Sequence, residues 1–165
     1  MNARILGLDP GLQVTGYGVL ENRSGSPHVR EAGIVRSAEG REATDMAQRL
    51  HYLYDGIVEV LEEFRPGSVV VEQLFAHYEH PRTAILMAHA RGVLLLAAGQ
   101  RGLPVHGYTA PRIKKTITGH GRASKEQVQR TVQRELRLER LPEPPDVADA
   151  LAAALCHYYT LKLPV

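Results

Sequence analysis

Cysteine is almost missing from this sequence: Cys156 is the single one. That excludes an internal disulfide and any cysteine-based zinc site. Because Cys156 stands in an apolar helical stretch, it is expected to be a small core residue and not a nucleophile. No apolar run approaches membrane-spanning length. The start, Met1-Asn2-Ala3-Arg4, leads into only a short apolar stretch and lacks the pattern of a signal peptide. A soluble, cytoplasmic protein is therefore expected. There is no internal repeat and no low-complexity tail. The eight histidines contain no His-Glu-x-x-His pattern, and His77 and His80 have no partner ligands in the sequence, so zinc is not expected. His157 reads as structural. No serine–histidine–acid grouping is present, and Ser124 reads as a helix cap. Charge excess is also lacking: the net charge is only +2, so no affinity for nucleic acid can rest on the total.

What is present suits one domain spanning residues 1–165, with 44% hydrophobic content and room for a sizeable core. Ile5–Asp9, Thr15–Leu20 and Val29–Arg36 read as three closely spaced strands, hence an antiparallel meander. The first turn, Asp9-Pro10-Gly11-Leu12, suits a type II turn. An amphipathic helix is expected from about Ala43 to Phe64, and a buried strand from Ser68 to Glu72. A second helix follows from Arg82 to Gly99; its half Val93–Ala98 is apolar on every side and should be deeply buried. Leu103–Tyr108 is the last strand. A short helical turn towards Thr116, a helix from Ser124 to about Leu138 with a Ser124/Gln127 capping box, and a final helix from Asp146 to about Thr160 complete the chain. Strands linked by helices should be parallel. The expected fold is α/β: a mixed sheet of three antiparallel then two parallel strands, with helices on both faces.

Four acids interrupt this apolar pattern. Asp9 and Glu72 each end a strand, and Asp146 and Asp149 open the last helix. Singly, each has an ordinary explanation: a turn residue, an ion-pair partner, a cap, or an acid in a first helical turn. Jointly they suggest a site, because C-terminal strand ends are where open α/β sheets place theirs. Acids three apart on a helix share a face. Four carboxylates packed without a cation would repel one another and take up protons. Oxygen-only ligands favour Mg²⁺ or Mn²⁺. Two such ions roughly 3.5–4 Å apart could hold a phosphate between them, one activating water and the other relieving charge on the leaving oxygen. A metal-dependent phosphodiesterase acting on nucleic acid is the expectation.

The distribution of positive charge agrees. From Ala110 to Arg140 there are nine Lys or Arg against three Glu. Of the twenty basic residues in the chain sixteen are Arg, suited to planar phosphate recognition. Arg130, Arg134 and Arg137 could equally be a solvated helix face.

Gly7-Leu8-Asp9-Pro10-Gly11, Val71-Glu72-Gln73, Ala90-Arg91-Gly92-Val93, Tyr108-Thr109-Ala110-Pro111, the segment from Gly119 to Lys125 and Asp146-Val147-Ala148-Asp149-Ala150-Leu151-Ala152 occur in an order and spacing that resembles the RuvC family of bacterial Holliday-junction resolvases, the crossover junction endodeoxyribonucleases. The resemblance spans nearly the whole chain. It implies an RNase H-like fold and a homodimer that makes paired symmetric nicks in a four-way DNA junction during recombination and repair. It implies catalytic, metal-holding carboxylates at Asp9, Glu72, Asp146 and Asp149, with two ions of Mg²⁺ or Mn²⁺ per subunit. DNA-facing residues match Lys114 and Lys125, with Lys115 and Arg122 as neighbours and Phe75 as the aromatic that stacks at the junction. Cooperation with a branch-migration motor is implied as well. Two departures stand out: the loop after Glu72 reads one residue longer than in better-known members, and His80 stands where Asn is usual.

Three rivals share parts of this pattern. Actin-like ATPases and sugar kinases carry a similar Asp-Pro-Gly turn but need two lobes of the fold. An RNase H-like enzyme acting on RNA would share the acids. A nuclease-derived binding module would gain nothing from four acids facing phosphate. Ala84, Ala88 and Gly92 on the second helix are small enough for close packing between subunits.

Overall fold

A computed structural model describes residues 4–37, 45–74 and 81–162. Its five strands are β1 (Ile5–Asp9), β2 (Val14–Arg23), β3 (Ser26–Arg36), β4 (Ser68–Glu72) and β5 (Val105–Tyr108). Its helices are α1 (Met46–Phe64), α2 (Pro81–Gly99), α3 (Ala110–Thr118), α4 (Lys125–Glu135) and α5 (Pro145–Lys162). The sheet order is β3-β2-β1-β4-β5. β1, β2 and β3 pair antiparallel, while β4 runs parallel to β1 and β5 parallel to β4. This is the expected mixed sheet, and each parallel step is bridged by helix.

Alternation along the strands splits the core into two layers. Val69 and Val71 face α1 and α2 with Leu6, Leu8, Val19, Ile57, Leu61 and Leu94. Val70 faces the other way, with Leu20, towards α3, α4 and α5 through Val132, Leu151 and Leu155. Full burial of each such side chain stabilises the fold by about 1.5–3 kcal/mol.

Local signals set the helix ends. Asp45 caps α1 by accepting from the Gln48 N–H at 2.8 Å, so the helix starts later than Ala43. The Ser124/Gln127 capping box opens α4, which ends at Glu135, short of Leu138. Thr109 caps α3, and that helix is nine residues long instead of a single turn, closed by left-handed Gly119.

Two expectations are corrected. Gly11 is not among the positive-φ glycines, so Asp9–Leu12 is not a type II turn. Glycine is needed there for space: a Cβ would stand 2.2 Å from the Val14 carbonyl oxygen. Nor is the second half of α2 wholly buried. Ala90, Leu94, Ala97 and Ala98 are buried, but Leu96 is 54% exposed and Ile85, nearer the start, 58%. With exposed Ala88 and Gly92 these two form an outward stripe at helical spacing.

Candidate metal centre and nucleic-acid interface

The parallel pairing of β1 with β4 matches Leu8 to Val71, so Asp9 and Glu72 emerge side by side at one end of the sheet. The other two acids reach that end because glycine clears a path for α5. Gly7 lies beneath the Ala150 carbonyl and Gly16 beneath that of Asp146; a Cβ on either would stand 2.1 Å from the oxygen. Gly18 pairs with Gly7, Gly16 pairs with Asp9, and Gly18 leaves room for Leu151. The first turns of α5 therefore rest on the bare backbone of β1 and β2. This brings Asp146 and Asp149 over the strand ends.

The electrostatics confirm that the acids sense one another. The Asp9 carboxyl is pushed up to about 8, chiefly by burial, then by Asp149, Glu72 and Asp146. Burial, then Asp149, raises Glu72. Burial raises Asp149, with Asp146 adding to it. Lys125 opposes all three shifts and Lys114 those of Glu72 and Asp149, which puts both lysines beside the cluster. Among the described residues none of the four acids joins a salt bridge. The possible ion pair at Glu72 is absent: Arg91 Nε donates to its backbone carbonyl at 3.2 Å, leaving the carboxylate for other partners.

Half-buried carboxylates that raise one another's proton affinity suit a divalent cation. Among the described residues no three His, Cys, Asp or Glu side chains close around one point as a ready-made metal site, although the four acids gather at one end of the sheet. An open cleft of about 530 Å³ adjoins Asp146, walled by Gly11–Val14, Arg49, Thr83, Leu86 and Met87. A larger hollow of about 770 Å³ lies between β3 and α1; its Glu31, Asp55, Glu59 and Glu63 make it hostile to phosphate.

The remaining sequence candidates divide. Lys115 is exposed, affects none of the shifted acids, and lines a separate cleft with Arg112. Arg122 is exposed in the segment before α4. Phe75, His77 and His80 lie outside the described residues. Cys156 is fully buried, as expected of a core residue. His157 is also buried; it meets the Tyr108 hydroxyl at 2.7 Å and stacks on His106 at 4.1 Å. Burial, then His106, lowers it to about 4, so it stays neutral and structural. Sequence reasoning missed the supports of the site. Besides Arg91, buried Thr15 donates to the Gly11 carbonyl at 2.9 Å and braces the turn after Asp9. Arg91 lies within the Ala90-Arg91-Gly92-Val93 motif but nothing in the sequence gave it this role, and Thr15 had no signal beyond opening an expected strand.

Sheet order and helix placement define an RNase H-like fold. The yeast mitochondrial Holliday junction resolvase Ydc2 shares it, with a TM-score of 0.67 at 14% identity over 98% of this chain and 82% of that one. A family model, crossover junction endodeoxyribonuclease RuvC, matches residues 5–157. Proteins of that name from Rhodopirellula baltica and Moorella thermoacetica are each 46% identical, covering 98% and 93% of this chain and 89% of their own. A structure of Thermus thermophilus RuvC in complex with Holliday junction substrate superposes with a TM-score of 0.85 at 33% identity, over 96% of this chain and 94% of that one. The chain belongs to the RuvC family of crossover junction endodeoxyribonucleases.

Proposed function

We propose that this single nuclease domain resolves four-way DNA junctions by paired, symmetric, divalent-metal-dependent nicks. The observation that carries the reading is the meeting of Asp9, Glu72, Asp146 and Asp149 at one sheet end, with Lys114 and Lys125 beside them. The Thermus relative was captured with Holliday junction substrate, and the same class of DNA is the substrate proposed here. The four carboxylates would hold Mg²⁺ or Mn²⁺, two ions per subunit. Bound metal supplies an activated water for in-line attack and neutralises charge on the departing oxygen.

The protein groups have separate tasks. The Asp9 carboxyl, pushed up to about 8 in the absence of a cation, would give up its proton on serving as a ligand. Glu72, fixed through its backbone by Arg91, keeps its carboxylate at the strand end. Lys114 and Lys125 meet the phosphates flanking the cut and offset the negative cluster that would otherwise repel DNA. Arg122 and Phe75 extend the contact, the latter by stacking on unpaired bases. None of the acids needs to be the nucleophile.

Paired nicks call for two sites, and a two-fold dimer suits a junction of near two-fold symmetry. The exposed stripe Ile85, Ala88, Gly92 and Leu96 is the proposed contact between copies. Action in the cytoplasm beside a branch-migration motor belongs to the same proposal; among the described residues no helix is long and apolar enough to cross a membrane.

The test is cleavage of an end-labelled four-way junction, beside linear duplex and RNA–DNA hybrid of matched sequence, in Mg²⁺, Mn²⁺ or EDTA. Paired symmetric nicks in the junction alone are expected, abolished by EDTA and by Asp9→Asn. Preferential cutting of the hybrid would overturn the choice of substrate, and cutting in EDTA would overturn the metal chemistry.

A further inference from the structure

α3 presents cations on two faces. Lys114 turns to the carboxylates, whereas Arg112, Lys115 and Thr116, three and four residues apart, share another stripe. Across an open cleft of about 600 Å³ that stripe meets Tyr159, Thr160 and Lys162 at the far end of α5. No carboxylate lines the cleft, and among the described residues Arg112, Lys115 and Lys162 are in no salt bridge. The Arg112 guanidinium lies 4.9 Å from the centre of the Tyr108 ring, a contact that restrains it without using its N–H donors. The Lys162 ammonium sits 4.4 Å from the Tyr158 ring centre and donates to the Gly25 carbonyl, so it too is held in place. The Tyr159 hydroxyl donates to Glu135 and the Thr160 hydroxyl to the Cys156 carbonyl. The donors that face the cleft are therefore those of Arg112 and exposed Lys115, a pair that suits a phosphodiester backbone.

The position of the cleft says which part of the substrate it would meet. From Asp149 to Thr160 the α5 axis advances roughly 16 Å at 1.5 Å per residue. A duplex arm lying alongside α5 would span that distance in roughly five steps at about 3.4 Å per base-pair step. We propose that this cleft is a phosphate-binding track for a duplex arm of the junction, about five base pairs out from the cut. The proposal rests on the junction reading above and adds to it a contact that does not touch the reacting phosphate.

A binding cycle tests it, in EDTA so that no strand is cut. Wild type and Arg112→Gln/Lys115→Gln are titrated with a junction whose arms carry normal linkages. The same titrations use a junction with uncharged methylphosphonate linkages from about three to ten base pairs out. On the normal junction the double variant should bind roughly five- to tenfold more weakly and lower the salt slope by about 2. On the modified junction wild type and variant should bind alike, because the partner charges are gone. Lys115→Gln alone, at an exposed position, should show about half the loss and guards against a folding effect at Arg112. Losses that simply multiply between protein and DNA changes would overturn the track, as would a double variant equal to wild type on the normal junction. Failure of the junction reading would look different: wild type would bind the normal junction no better than linear duplex.

Discussion

Asp9 is the residue at which stability and function pull apart. Its carboxyl sits in the fold as an acid pushed up from 3.8 to about 8. The sign follows from linkage. Stability tied to protonated Asp9 is fully present below about pH 4 and is lost as pH rises through about 8. Glu72 and Asp149 shift in the same direction. Without metal, the wild type should therefore lose thermal stability between pH 5 and 8 to 9. Asp9→Asn, which cannot ionise, should melt roughly 3–8 °C higher than wild type at the upper end and equal it near pH 4. Adding Mg²⁺ should remove that advantage by stabilising only the wild type. Scanning calorimetry in EDTA and in Mg²⁺ across that pH range decides the matter; a gap independent of pH would show that Asp9 acts through packing instead.

At the level of elements, α5 and the glycines beneath it matter most. Gly16→Ala places a methyl group 2.1 Å from the Asp146 carbonyl, against rigid backbone, so helix or strand must move. The expected outcome is a loss of about 1–3 kcal/mol in stability and a fall in cleavage rate beyond what the unfolded fraction explains, since Asp146 would be displaced. Denaturant melts beside single-turnover cleavage would separate the two effects. This level also shows what the sequence could and could not disclose. Asp9 and Glu72 could be read as neighbours because strand ends and parallel pairing follow from element order. The approach of α5 could not, since it depends on which faces of β1 and β2 are bare, and Gly7, Gly16 and Gly18 inside two expected strands do not say which helix will lie on them. Lys114 and Lys115 are adjacent in the chain yet point to different clefts, a separation settled only by how α3 docks through Ile113 and Ile117. The Asp9–Leu12 turn was misjudged because glycine there answers a steric need at Val14, not a need for left-handed backbone.

For the whole molecule, α2 is the element out of place in a lone chain. An apolar helix should be covered on all sides, and this one leaves Ile85 and Leu96 in solvent. A second copy of the chain is the partner proposed for that surface. Leu96→Glu is expected to turn a dimer into a monomer in sedimentation velocity, with paired nicks giving way to slow, independent single nicks. A dimer that persists would move the contact elsewhere.

The close seating of α5 has a consequence in time as well as in space. Half the acids stand within its first five residues, and it is the helix that packs most extensively on β1 and β2. In order of synthesis Asp9 and Glu72 come well before Asp146, whereas the basic segment that ends at Arg140 precedes it by only six residues. A chain whose last helix has not settled onto β1 and β2 therefore lacks two of the four carboxylates proposed to hold metal.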